Sequence, residues 1–217
     1  MVVNADHLLA DGIGEAGDGL AENTGNLDFK GKTVLDLGCN FGYYSFLARC
    51  AGARRVLGID ADARIIRGCE IIKALNGFDR VAFLAIDIVK AEGIGRFDIG
   101  LMIDLIGSQM ILAGTAKAVL GSLESLSQKE MVLTLRPRYH IPKKLAGDFQ
   151  GLKKKYPGDY IRDNYFHAFD YVFDRFKANW EATLISAQND PEVEYKQTLH
   201  FVRRTPAPAP SAKPSQK

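Results

Sequence analysis

Apolar residues in the first half of the chain come in short bursts, separated by stretches with helical spacing. Val34, Leu35 and Leu37 form the first burst, and Arg55–Asp60, Arg80–Ile86, Phe97–Asp104 and Met131–Leu135 carry the next four. The first has the continuity of a strand covered on both faces, the second reads as a buried strand, and the other three read as strands. Between them, Tyr44, Phe46, Leu47 and Cys50 predict a helix over Tyr43–Cys50. Ile65, Ile66, Cys69, Ile72 and Leu75 predict another over Ala63–Leu75, capped by Asp62 and ended by Asn76–Gly77. Ile111, Leu112, Ala116, Val119, Leu120 and Leu123 predict a third. Further on, Tyr165, Phe166, Phe169, Val172, Phe173 and Phe176 give a dense apolar face to a helix over Asp163–Phe176. Trp180–Ser186 and Tyr195–Arg203 alternate like paired strands, with Asn189–Asp190–Pro191 as the turn. Strand and helix alternate, so the fold class is α/β.

The stretch from Lys32 to Ser45 organises the rest. After the first strand come Asp36, Gly38, Cys39, Asn40, Phe41 and Gly42, and then a helix start. Gly38 permits a sharp turn, Asn40 tolerates left-handed backbone, and Gly42 lets the helix approach what lies in the turn. A helix start offers unpaired N–H groups and suits a carboxylate or phosphate. A turn of this kind also occurs with no ligand. A dinucleotide fingerprint would need Gly-x-Gly-x-x-Gly, whereas here the glycines are four apart. Asp60, followed by Ala61, ends the second strand, and Asp87, followed by Ile88, follows the third. An ionised carboxylate is acceptor-only and can take two donors at once; an aspartate at a strand end can equally be a turn residue or a cap.

The glycine spacing resembles motif I of the class I S-adenosylmethionine-dependent methyltransferases, with Asn40 in place of the middle glycine. The resemblance covers roughly Phe29 to Arg203 and implies a three-layer Rossmann-like fold. Its mostly parallel seven-stranded sheet would end in a C-terminal antiparallel hairpin. It implies S-adenosyl-L-methionine as cofactor, with Asp36 and the Gly38–Gly42 turn beneath it. Asp60 would accept the ribose hydroxyls, Asp87 the adenine amino group, and Ala61, Ile88 and Ile103 would be apolar neighbours. Asp104, at the end of the fourth strand, would hold the cofactor's ammonium, orient a substrate or act as a base, or else simply cap a turn. Residues Leu27 to Asn76 are also similar to the family that carboxymethylates wobble uridine in transfer RNA. The second half departs from it, with no Tyr-His-Arg-Arg segment after strand four. The implied activity is methyl transfer to an O or N nucleophile of a small molecule or RNA. A non-catalytic binder of the same cofactor is the alternative, and a nicotinamide-dependent oxidoreductase a weaker one.

Composition adds bounds. With 217 residues, 47% hydrophobic and 25% charged, the chain suits one α/β domain. A formal charge of +2 selects no partner. Cys39, Cys50 and Cys69 lack C-x-x-C spacing, which is consistent with reduced thiols and a cytoplasmic setting. No apolar run is long enough to span a bilayer. Residues 1–26 read as a leader or cover segment, 27–204 as the cofactor-binding domain, and 205–217 as a disordered tail. The segment Arg136–Lys144, with Lys153–Lys155, is basic and aromatic. It is either a substrate loop, with Tyr139 and His140 near the transferred group, or a solvated face. The candidates for catalytic help are Asp104, Tyr139 and His140. His167 reads as a solvated or capping residue, and no His or Cys spacing supports a metal site.

Overall fold

The computed structural model describes residues 27–91, 93–141, 149–185 and 196–205. The leader over 1–26, the Asn189–Asp190–Pro191 turn, Lys143–Lys144 and the tail after Thr205 lie outside the described residues. The first strands are β1 (Thr33–Leu37), β2 (Arg55–Asp60), β3 (Val81–Ala85), β4 (Phe97–Met102) and β5 (Ser127–Leu135). All five run parallel. Strands β9 (Trp180–Leu184) and β10 (Gln197–Arg203) complete a seven-stranded sheet of order β3-β2-β1-β4-β5-β10-β9, in which β10 is antiparallel to both neighbours. The order reverses between β1 and β4, and in such sheets ligands bind outside the carboxyl ends of the strands at that reversal.

Helices α1 (Tyr43–Cys50) and α2 (Ala63–Leu75) have the predicted bounds. Asp62 caps α2 by accepting the Arg64 N–H, and Asn76 and Gly77 end it. Their buried faces are narrower than the spacing suggested. α1 buries Ser45, Phe46 and Ala48 and leaves Cys50 exposed, while Leu75 is 79% exposed. The sheet separates two cores, as a strand's alternating side chains require. Val34, Val56 and Ile99 pack with Phe46, Ile66 and Phe83 on one face. Leu35, Leu57 and Leu133 pack with Leu120, Leu123 and Trp180 on the other.

Three expectations need correction. The helix predicted around residues 111–123 is two helices, α3 (Ser108–Ala113) and α4 (Ala116–Leu126), because Gly114 turns left-handed (φ 84°) and ends the first. β5 begins at Ser127, four residues before the apolar run. Its polar start is satisfied: Ser127 Oγ donates to Leu123 O (2.6 Å), and Glu130 accepts from Lys32 Nζ (2.7 Å). Asp163–Phe176 is not one helix. Asp163 and Asn164 take φ 51° and 60°, the two left-handed positions of a tight hairpin turn. They join β7 (Ile161–Arg162) to β8 (Tyr165–His167), and only then does α6 (Ala168–Phe176) begin. The helical spacing of Tyr165 and Phe166 hid a period-two strand, in which Phe166 is buried and its neighbours are half-buried.

The basic segment also holds more structure than a loop. Arg138–His140 forms β6, which pairs with β8 in a small antiparallel sheet of order β6-β8-β7. Helix α5 (Phe149–Lys155) carries the lysine run, and Lys155 Nζ donates to Leu112 O (2.9 Å) near the end of α3.

Candidate active site at the carboxyl edge of the sheet

Parallel strands finish on the same edge, so Leu37, Asp60, Ala85 and Met102 bring their following residues together there. The turn after β1 is fastened by its backbone. The N–H groups of Gly38 and Cys39 both donate to Ile59 O, at 2.9 and 3.0 Å, and Gly42 N–H donates back to Cys39 O (2.8 Å). Asn40, where the middle glycine is missing, adopts φ 46°, the left-handed conformation a glycine would supply. Gly42 is the N-cap of α1 with φ 78°, and a Cβ there would meet Phe83 at 2.9 Å and Phe46 at 3.0 Å. The Phe41 ring lies against Gly68 of α2 and stays 49% exposed.

Asp60 ties the turn to β2. One carboxylate oxygen accepts the Asn40 N–H (3.2 Å) and the other the Asp62 N–H (3.0 Å). Each oxygen therefore keeps lone-pair capacity for a further donor. Ala61 beside it is exposed. Asp87 caps the 3-10 turn Ile88–Lys90 through Val89 N–H (3.0 Å), so the capping alternative raised by the sequence is realised there. Its carboxylate is nonetheless exposed, while Ile88 and Ile103 are buried.

Asp36 is 2% exposed and accepts a hydrogen bond from Ser45 Oγ (2.7 Å). Burial pushes its carboxyl up to about 6 despite that bond, with the Asp60 charge adding to the rise. The folded chain then binds a proton that the unfolded chain has released, so stability falls as pH rises from about 4 through about 6. The difference amounts to about 3 kcal/mol by neutral pH. Asp36→Asn keeps an acceptor for Ser45, so the variant is expected to lose this decline and to be the more stable protein at pH 8. Chemical denaturation of both proteins at pH 4 and pH 8 checks this.

Both buried thiols contact the turn. Cys69 Sγ donates to Asn40 O (3.0 Å), and Cys39 contacts the same oxygen (3.5 Å). The hydrogen bond with Cys69, together with burial, drives the Cys39 thiol far above its ordinary range.

Asp104 follows β4 in a left-handed conformation (φ 56°), with its N–H donated to Thr134 Oγ1 (2.6 Å) and its carboxylate paired with Lys196. Tyr139 is buried; its hydroxyl donates to Ile106 O (2.8 Å) and accepts from Arg136 N–H (3.1 Å). Burial raises its pKa. His140, the next residue on β6, points to the other side and rests edge-on against Tyr165 (5.4 Å between centroids). Asp104 and Tyr139 thus share the region beyond β4, and His140 does not. Sequence reasoning missed Thr134, Lys196, Ser45 and the Cys69 tether. It also missed Tyr44, whose hydroxyl is half-buried and pushed well up by burial, with Tyr43, Asp36 and Asp104 near it.

Residues 28–188 match the family model described as "Methyltransferase domain". A tRNA U34 carboxymethyltransferase of Desulfotalea psychrophila is 32% identical over 101 residues, covering 45% of this chain and 31% of that protein. A ribosomal protein L11 methyltransferase of Haemophilus ducreyi is 34% identical over 111 residues, covering 50% of this chain and 34% of that protein. The chain therefore spans about a third of the length of these curated relatives. The crystal structure of magnesium protoporphyrin IX methyltransferase from Synechocystis with bound SAH has a TM-score of 0.57. It is 17% identical, and the match covers 92% of this chain and 91% of that one, a likeness that establishes the Rossmann-like methyltransferase fold.

Proposed function

The chain belongs to the methyltransferase-domain family, and on that premise we propose that it binds S-adenosyl-L-methionine at the carboxyl edge of the sheet and transfers the methyl group to an oxygen or nitrogen nucleophile. The observation that carries this reading is the joint between Asp60 and the Gly38–Gly42 turn. It leaves a carboxylate with two accepting positions beside a glycine turn that opens a helix.

The donor set fits the cofactor. Asp60 would accept the two ribose hydroxyls. Asp87 would accept the adenine amino group, with Ala61 and Ile88 against the ring. The Gly38–Gly42 turn, with Cys39, Asn40 and Phe41, would hold the middle of the ligand, and Ile103 would wall the inner side. When bound, the cofactor supplies a methyl group already made electrophilic by its sulfonium. What remains for the protein is to align a nucleophile and exclude water. Asp104 is the group best placed to orient the acceptor or take its proton, because Lys196 holds its exposed carboxylate and Thr134 Oγ1 accepts its backbone N–H just after β4. The Tyr139 hydroxyl already makes two hydrogen bonds, so we assign it to holding Ile106 and Arg136 in place. Tyr139→Phe is expected to lower Tm by a few degrees, about 1–2 kcal/mol, with kcat within about twofold of the parent. A large kcat loss at unchanged Tm would instead give that hydroxyl a direct role.

The test of the function is transfer of a radiolabelled methyl group from the cofactor to a cell extract, fractionated into RNA, protein and small molecules. Protein-dependent label in any fraction supports the reading and names the acceptor class. Absence of label from every fraction, with S-adenosylhomocysteine still bound, would leave a binding protein that transfers nothing. Against a nicotinamide enzyme stand the four-residue glycine spacing and the antiparallel β9–β10 pair.

A further inference from the structure

We infer that the amino edge of the sheet, opposite the glycine turn, carries a second site: an arginine-lined cleft that takes closely spaced phosphate groups. Parallel strands that finish together also start together, and this places Arg54 and Arg55 at the start of β2, Arg80 before β3 and Arg96 before β4 on one edge. They line a cleft of about 650 Å³. Strands of five or six residues separate it from Asp60 by roughly 17–20 Å, so a ligand here is independent of the methyl-transfer pocket.

Charge in the cleft is unbalanced. The acid in its lining, Asp98, accepts from the Thr33 N–H (2.9 Å), the Thr33 hydroxyl (2.8 Å) and Lys129 Nζ (2.9 Å). It has little capacity left for the arginines. Among the described residues, Arg54 and Arg55 make no ion pair. Arg80 has Asp79 at 3.5 Å, but that carboxylate is held more closely by Arg49 (2.6 Å).

The cluster is also built rather than splayed. The Arg55 guanidinium stands over the Phe97 ring (5.5 Å), and Arg96 donates to Ser127 O (3.0 Å). Arg80 sits at φ 57°, a conformation side-chain-bearing residues rarely adopt, at a position where glycine or asparagine would be easier. Four guanidiniums around one cleft, without matching carboxylates, suit a ligand that brings several negative charges close together. The planar fork of each matches pairs of phosphate oxygens. Free polyphosphate and a nucleic-acid backbone both supply that chemistry.

The test uses the full chain without cofactor. It is titrated with sodium pyrophosphate by calorimetry and with a labelled single-stranded oligouridylate by anisotropy. An Arg54→Ala/Arg80→Gly double variant is expected to bind at least about tenfold more weakly. For the oligonucleotide its salt slope should be shallower by roughly 1.4, the value for two lost phosphate contacts on a single strand. A Lys153→Ala/Lys154→Ala variant on the far edge is expected to bind like the parent, and the arginine variant is expected to keep parental affinity for S-adenosylhomocysteine. Binding of pyrophosphate alone identifies a free polyphosphate site, and binding of the oligonucleotide identifies a nucleic-acid backbone. Saturable binding of neither probe, or equal affinity in the double variant, overturns the inference and leaves the methyl-transfer reading untouched.

Discussion

Asp60→Ala is expected to weaken S-adenosylhomocysteine binding by about 100-fold or more while costing only a few degrees of Tm. The carboxylate would accept two ribose hydroxyls, and hydrogen bonds to a charged acceptor contribute about 1.5–3 kcal/mol each. Its structural role is lighter. It accepts the Asn40 and Asp62 N–H groups, at 3.2 and 3.0 Å, near the surface, where water can replace it. The main-chain bond from Ile86 N–H to Asp60 O (2.9 Å) survives the substitution. Calorimetric titration with thermal unfolding separates the two effects. Unchanged affinity in a folded variant would remove Asp60 from the site.

Gly42→Ala should have the larger effect on the fold itself. Two costs add there. A φ of 78° forces an L side chain into left-handed backbone, about 1–2 kcal/mol. The new methyl would also lie 2.9 Å from Phe83 and 3.0 Å from Phe46. Both rings are buried and in contact with each other, at 5.4 Å between centroids, so neither can easily withdraw. Overpacking of this kind costs about 1–3 kcal/mol. The expected loss of about 2–5 kcal/mol corresponds to a Tm lowered by roughly 5–15 °C. The start of α1 would shift with it, so cofactor affinity should fall as well. Gly38→Ala is the milder comparison, because the atom its methyl would meet is the flexible end of Leu105.

The parallel half of the sheet was legible because each strand carries a short apolar run that ends close to a glycine, a proline or an acid. Asn40 could be read as a stand-in for glycine because few other side chains tolerate its backbone. What escaped the sequence depends on partners distant along the chain. Asp104 is fixed by Thr134 of β5, which accepts its N–H, and by Lys196, just before β10, which pairs with its carboxylate, and no local pattern announces such partners. Cys69 looked like simple core packing on α2, yet its thiol also ties down Asn40 O. Tyr139 looked available because an aromatic hydroxyl in a basic segment suggests chemistry. Pairing of β6 with β8 turned it inward, onto Ile106 O. The Asp163–Asn164 hairpin was misread for a local reason: aromatic residues spaced three and four apart serve a helix and a strand equally well over so short a stretch.

The most direct measurement is a crystal structure of the chain grown with S-adenosylhomocysteine. The account predicts the ribose on the Asp60 carboxylate, the adenine beside Asp87 and Ile88, and the sulfur between the Gly38–Gly42 turn and Asp104. Ligand bound at any other edge of the sheet, or side chains filling the space between Asp60 and Asp87 with no ligand taken up at saturating concentration, would contradict it.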